Sequence, residues 1–443
     1  MSRRTTSHVK GAQQVSSQGK ILSKLGLRTL TPAKRALLAL SLAMCAIGFI
    51  AWMYQLDHGL AVTGMRNSFT WGLYIAIFAF MVGAAAGGMI VSSSIYLFKL
   101  DVLKPFARIA SLSAFACILG AGLMIILDLG SINHIVNILT SANFRSPLVW
   151  DICVITGYLI ITALSVIFQM LPSWKRRGIF GSAVIQVWSE QKTVDFSATW
   201  SRRVALVGLP FAVLIHTVTA LIFATQAARE WWHTAILPPD FIAMAVASGS
   251  ALVLMVCMVA SGKQRLEDHR LAFALMARMV AGALTVHFFF TAIELLMNIW
   301  TGSAETTELM HLLFVEYGPF YSSELVLPLI ALMMFFNKRI VQKRAGLFIG
   351  SILVIVGAFV HRMMLLYPGF NMFPLSLNVP AAAQDAWTVP IAIGEIQPDG
   401  SVFTSFWHYL PTSVEYCVVL LPLGLTLFIL LYANTAYNPK RDT

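Results

Sequence analysis

Ten stretches of this chain are apolar over about 20 residues each, and that feature leaves it few possible folds. A helix rising 1.5 Å per residue needs roughly 20 apolar residues to cross the ~30 Å hydrocarbon core of a bilayer. Inside that core every backbone N–H and C=O must be bonded within the segment. The stretches run roughly over residues 36–54, 70–98, 109–129, 148–170, 204–226, 239–261, 279–300, 312–336, 345–366 and 409–433. They predict an all-α polytopic membrane protein with about ten transmembrane helices. Glu316, Gly318-Pro319 and Glu324 interrupt the eighth stretch. A kinked helix whose polar groups face protein is the expected solution. Of the 443 residues 58% are hydrophobic and only 12% are charged, about half the charged share of an ordinary globular domain.

The formal charge of +11 would suit a nucleic-acid partner if it were gathered on one surface, but it is not. All but four of the 31 lysines and arginines lie in the first 35 residues, in alternate connections, or after the last apolar stretch. The four assigned to the opposite side are Arg66, Arg145, Arg229 and Arg362. Cytoplasmic loops carry such an excess, so both termini are expected in the cytoplasm. Ser2-Arg3-Arg4 has a superficial likeness to a twin-arginine signal. The first apolar run starts only near residue 36 and is long enough to span, which predicts a retained basic tail. The cysteines Cys45, Cys117, Cys153, Cys257 and Cys417 all sit inside apolar runs without a CxxC pair. They read as small apolar packing residues rather than cluster ligands.

The expected organisation is a tail over 1–35, a first span and loop over 36–69, a first four-helix bundle over 70–226 and a second over 239–366. An outer loop follows over 367–408, then the last span and tail over 409–443. Two bundles are suggested by an internal echo. Asp128 and Asp151 flank one connection, Glu294 and Glu316 flank another, and His216 in span five corresponds to His361 in span nine. Spans one and ten then lie outside the bundles. The 367–408 loop has no Lys or Arg but holds Pro374, Pro380, Pro390, Pro398, Trp387 and Trp407. Val389–Ile396 and Val402–Trp407 flank Gln397-Pro398-Asp399-Gly400, a candidate hairpin turn. Such a loop can be a lid, a docking surface or simply an ordered connection.

Ionisable groups at membrane depth are functional candidates because an unpaired one costs several kcal/mol. Asp128, Asp151 and His216 fall on three consecutive spans, with Tyr158 two turns into the fourth span and Asn133 and His134 beyond the third. An acid and a histidine that exchange protons beside a flat apolar ligand suit quinone chemistry, since quinol oxidation releases two protons with two electrons. Each residue also has a structural alternative: Asp128 as a helix-end anchor, Asp151 paired with Arg145, His216 bonded to a neighbouring helix. In the second bundle His287, Glu294 and Glu324 form a candidate proton relay, or polar glue between helices. Gly83, Gly87 and Gly88 favour close helix packing and leave room for a ring. Well inside the predicted spans lie only His216 and His287, in different bundles, so no haem is expected on this chain. Phosphate-binding motifs are absent.

Several segments, taken in order, resemble the NrfD/PsrC family, the polysulfide-reductase membrane subunits. They are Phe69-Thr70-Trp71-Gly72-Leu73-Tyr74-Ile75-Ala76, the Gly83–Gly88 run, Ile126-Leu127-Asp128-Leu129-Gly130 and Asn143 through Asp151. To these are added Pro210 through Ala220, and Tyr409-Leu410-Pro411-Thr412-Ser413-Val414-Glu415. The likeness covers about residues 45–433 and is to the ten-span branch that includes DsrP and the hydrogenase-2 membrane subunit. Ser131 and Ser413 depart from the pattern, where many members have arginine and tryptophan. The resemblance implies a quinone-interacting subunit of a respiratory complex in the bacterial cytoplasmic membrane, rather than a stand-alone enzyme. It implies bound quinone, menaquinone by expectation, with no haem or iron–sulfur cluster on this chain. The implied partner is a periplasmic ferredoxin-like iron–sulfur subunit, joined in some members by a molybdopterin protein or a c-type cytochrome. Asp128 and His216 are the implied catalytic residues. Asp151, Tyr158, Tyr74, Gly87, Asn133 and His134 are the candidate quinone-binding residues. A secondary transporter or proton channel using the buried Glu and His groups, or a pure membrane anchor, is the alternative.

Overall fold

The computed structural model describes residues 32–66, 69–177, 187–227, 229, 231–260, 267–371, 374–375, 387–388 and 409–435. Ten helices among them are long and apolar enough to cross a membrane. They are α1 (Pro32–His58), α2 (Leu73–Leu97), α3 (Ala107–Asp128), α4 (Pro147–Arg177), α5 (Glu190–Ala224), α6 (Leu237–Ala260), α7 (Arg270–Thr301), α8 (Gly318–Phe336), α9 (Arg344–Asn371) and α10. The last runs over Ser413–Val418 and resumes over Leu420–Thr435. Its break falls where Pro422 cannot donate to the Val418 carbonyl four residues back. The kink expected near span eight is a π-helical turn, Leu312–Glu316, after which α8 starts at Gly318 with Pro319 in its first turn. Pro suits that position because its missing N–H would be unpaired there anyway.

Helices α2, α3, α4 and α5 pack in a closed ring, each on the next and α5 back on α2, and α6 to α9 form a second ring of the same kind. The bundles meet chiefly along α2 and α6. The close approach depends on Gly87 and Gly249, where any side chain would run into the facing backbone. Helices α1 and α10 pack on each other, and α10 rests on α3. In α1 the buried residues are Ser41, Gly48 and Gln55, at seven-residue spacing. Its other faces expose Leu40, Phe49 and Ile50. Small and polar inside with apolar outside is the pattern expected where lipid is the solvent.

Two carbonyls freed by prolines inside helices are met by side chains, as membrane helices require. Pro172 cannot donate to the Phe168 carbonyl, which accepts instead from Ser197 Oγ at 2.7 Å. Pro368 frees the Met364 carbonyl, which accepts from the Trp231 indole at 2.9 Å. Helix α9 runs to Asn371, so the connection expected from residue 367 starts five residues later. A two-residue antiparallel pairing follows, Pro374 with Thr388 and Leu375 with Trp387. The hairpin expected around residues 397–400 lies outside the described residues. Arg362, counted with the outer-side basic residues and inside the predicted ninth span, lies in the outer half of α9 and is only 2% exposed.

Candidate functional site

The ends of α1, α3, α5, α7 and α9 lie with the starts of α2, α4, α6, α8 and α10, the end of the protein poor in Lys and Arg. Asp128 is the last residue of α3 and Asp151 lies in the first turns of α4. Both line one cavity of about 130 Å³, walled by Trp71, Ile75, Phe78, Ile125 and Phe223. Asp128 Oδ1 is buried and has no hydrogen-bond partner among the described residues. Asp151 is 2% exposed and accepts from Thr219 Oγ1 on α5 at 2.6 Å, so its partner is a hydroxyl one bundle helix away. A buried carboxyl oxygen left unpaired costs free energy unless a ligand or water meets it. The cavity therefore joins an apolar, aromatic wall to two acid groups on adjoining helices, a composition that fits a flat ring with polar edges.

His216 does not join this cavity. It lies one turn from Thr219 on α5, buried, with Nδ1 unpartnered among the described residues. It faces the seam between the bundles. A side chain at Gly83 would begin 3.8 Å from His216 Nε2, 3.7 Å from Ser248 Oγ and 4.0 Å from Arg362 Nη2. Gly83 thus leaves the space in which an imidazole of one bundle and a buried guanidinium of the other adjoin. The Arg362 guanidinium carbon also sits 3.6 Å from the centre of the Phe241 ring, a cation–π contact.

The other candidates are dispersed. Tyr74 donates to Gln55 Oε1 on α1 at 2.5 Å, and Gln55 donates to the Leu127 carbonyl at 2.8 Å. The pair ties the end of α3 beside Asp128 to α1. Tyr158 donates to the Ala85 carbonyl at 3.0 Å, away from the cavity. Gly87 lies in the α2–α6 contact. Asn133 and His134 lie exposed on a short 3₁₀ turn beyond α3.

In the second bundle His287, Glu294 and Glu324 converge, and Asp240 and His361 join them. His287 Nδ1 lies 2.6 Å from Asp240 Oδ1. His361 has a carboxylate at each ring nitrogen: Glu324 Oε1 at 2.6 Å and Asp240 Oδ2 at 3.3 Å. Glu294 lines the same small polar cavity as Asp240, Glu324 and His361. Asp240 follows Pro238-Pro239 in the first turn of α6, where the helix dipole favours a carboxylate. Asp240, His287 and His361 bring one ligand-capable atom each within 4.8 Å of one another, although the facing nitrogens already meet the Asp240 carboxylate. A lone Asp beside two prolines reads as a helix start, and its contact with His287, 47 residues away, is visible only in the fold.

An aromatic layer spans the two bundles at this end. Tyr409 stacks on Phe69 at 4.8 Å, Phe69 meets Phe370 at 4.7 Å, Phe370 meets Trp232 at 4.9 Å and Trp232 stacks on Trp71 at 6.2 Å. Tyr409 accepts from the Leu73 N–H at 2.8 Å and donates to Glu415. Burial, and then the Glu415 carboxylate beside it, push the Tyr409 phenol above its ordinary range, so it stays a donor.

A multi-pass membrane protein of two four-helix bundles, with an acid-lined aromatic cavity at one end, is the class that fold and site define. The chain belongs to the polysulphide reductase NrfD family, whose pattern matches residues 61–374. It is 31% identical over 385 residues to a putative dimethyl sulfoxide reductase membrane subunit of Halobacterium salinarum, covering 85% of this chain and 84% of that one. It is 30% identical over 261 residues to the Hdr-like menaquinol oxidoreductase integral membrane subunit of Archaeoglobus fulgidus, covering 58% and 59%. It is 22% identical over 237 residues to a selenate reductase subunit of Mesobacillus selenatarsenatis, covering 50% and 56%.

Proposed function

We propose that this chain is the quinone-interacting membrane subunit of a respiratory oxidoreductase complex. It would exchange electrons between menaquinol and an iron–sulfur partner docked at the end carrying Asp128. The observation that carries this is an aromatic-walled cavity lined by Asp128 and Asp151, with one Asp128 oxygen buried and without a partner among the described residues. The menaquinol named for one relative supports the choice of substrate. The skewed distribution of Lys and Arg supports an orientation in the cytoplasmic membrane with both termini inside and the Asp128 end outside.

The substrate supplies two electrons and two protons on oxidation. Asp128 accepts a hydrogen bond from the ring hydroxyl and then its proton, while Trp71 and Phe223, packed edge to face at 5.7 Å, form one wall of the cavity and exclude water. Asp151, oriented by Thr219, is the second proton acceptor. His216 lies one turn deeper on α5, at the bundle seam. Its proposed role is proton exchange with the second bundle, where Asp240, His287, His361, Glu324 and Glu294 form the relay. Such a relay could serve proton translocation.

Purification in a mild detergent tests this reading. Menaquinone and a partner carrying iron–sulfur clusters should co-purify, with a molybdopterin protein or a c-type cytochrome as a further partner. Asp128→Asn should leave the complex assembled and lower quinone occupancy of the cavity beside Asp128, read as photolabel on α3–α4, at least tenfold. A chain that purifies alone, quinone-free and active in transport would instead identify a transporter.

A further inference from the structure

A larger cavity lies on the far side of the aromatic layer from Asp128, between the start of α2, the outer halves of α8 and α9, and the start of α10. It encloses about 400 Å³, within the ~300–1,000 Å³ typical of ligand sites and about three times the volume beside Asp128. Electron and proton transfer at Asp128 make no use of it.

Three features say what it would hold. First, it is long. Phe359 and Tyr367 both line it and are eight residues apart on α9, roughly 12 Å at 1.5 Å per residue. It therefore runs from mid-membrane depth to the helix ends. Second, its outer end is ringed with flat side chains and has an unmet hydrogen-bonding group. Tyr367 is 6% exposed, and its hydroxyl is buried without a partner among the described residues. Met363 and Met364 add adaptable thioether surface. Third, its mouth is mostly apolar, with Glu316 the one carboxylate on its rim among the described residues. Phe320, Tyr416 and Leu410 line it and are 54%, 56% and 74% exposed, so a ligand enters from lipid.

We infer that this cavity is a second isoprenoid-quinone site, with the ring at the outer end donated to by the Tyr367 hydroxyl and the tail running past Phe359 toward the membrane centre. A phospholipid acyl chain could fill the apolar length, but it offers neither a planar face for the aromatic ring nor an acceptor placed at the buried phenol. The assignment rests on the quinone reading of the chain, and its site is independent of Asp128.

The test is photolabelling of the intact purified complex with an azido-naphthoquinone, followed by peptide mapping. Two labelled regions are expected, one on α3–α4 and one on residues 317–321 with 359–367. Met363→Trp should fill the second cavity and lower its label at least tenfold while leaving the α3–α4 label unchanged, and Asp128→Asn should do the reverse. Tyr367→Phe, which keeps the shape, should weaken the second label severalfold. An unchanged elution volume on size exclusion checks folding. Label on α3–α4 alone, or a second label displaced by phospholipid but not by menaquinone, overturns this proposal and leaves the first site standing. Absence of both labels overturns the quinone reading itself.

Discussion

Glu415 shows how one buried charge can be made structural rather than chemical. Its Oε2 accepts from the Gly64 N–H at 2.7 Å and the Thr412 N–H at 2.9 Å, its Oε1 accepts from Tyr409, and the residue is fully buried. With Thr412 it closes a capping box at the start of α10. Glu415→Ala would leave three donors without an acceptor, each costing about 1–3 kcal/mol. A lowered melting temperature in detergent is expected, with Glu415→Gln falling between; an unchanged melt for Glu415→Ala would show that this clamp does not hold α10. Asp128 is the contrast, because its Oδ1 has no partner among the described residues. The sequence could rank neither, since both are single acids near the ends of apolar runs. Whether neighbours satisfy a carboxylate depends on contacts hundreds of residues apart, such as Gly64 with Glu415.

At the scale of helices, much was legible in the sequence. Ten spans follow from the length an apolar helix needs, and the echo of His216 in His361 pointed to a two-part arrangement. The facing of each helix was less accessible. Periodicity reports depth along a span but not which neighbour a residue meets. Hence Asp128 and Asp151 share one cavity while His216 falls on the seam with Arg362, and Asp240 gave no sign of its role despite lying within a predicted span. The α2–α6 contact has its own test. Gly87→Leu would force apart two backbones that no side chain now separates. Loss of monodisperse protein is expected, whereas Gly282→Leu, at a position with open space around it, should be tolerated. Equal yields for the two variants would contradict the packing. Within the second bundle, Asp240→Asn breaks a buried pairing of two histidines. Removing one partner of a buried ion pair costs about 3–5 kcal/mol, so a clear loss of thermal stability is expected, and no loss would show that the cluster is held by other contacts.

At the scale of the molecule, the two ends differ in charge and in contents. The acid-lined cavity, the cavity beside Tyr367 and the aromatic layer are at the end poor in Lys and Arg, while the pockets at the other end are lined by basic residues such as Lys192, Arg203, Arg270 and Lys338. In a chain freed of its native cysteines, Arg145→Cys should react with an impermeant maleimide from outside intact cells and Lys338→Cys only after permeabilisation. The reverse pattern would invert the proposed orientation. The central claim, that electrons leave quinol beside Asp128, is tested most directly by adding menaquinol to the purified complex and following reduction of the partner's iron–sulfur centres by rapid-mixing spectroscopy. The account predicts fast reduction in the wild type and a loss of at least a hundredfold in Asp128→Asn with the partner still bound. Reduction at the wild-type rate in that variant would contradict it.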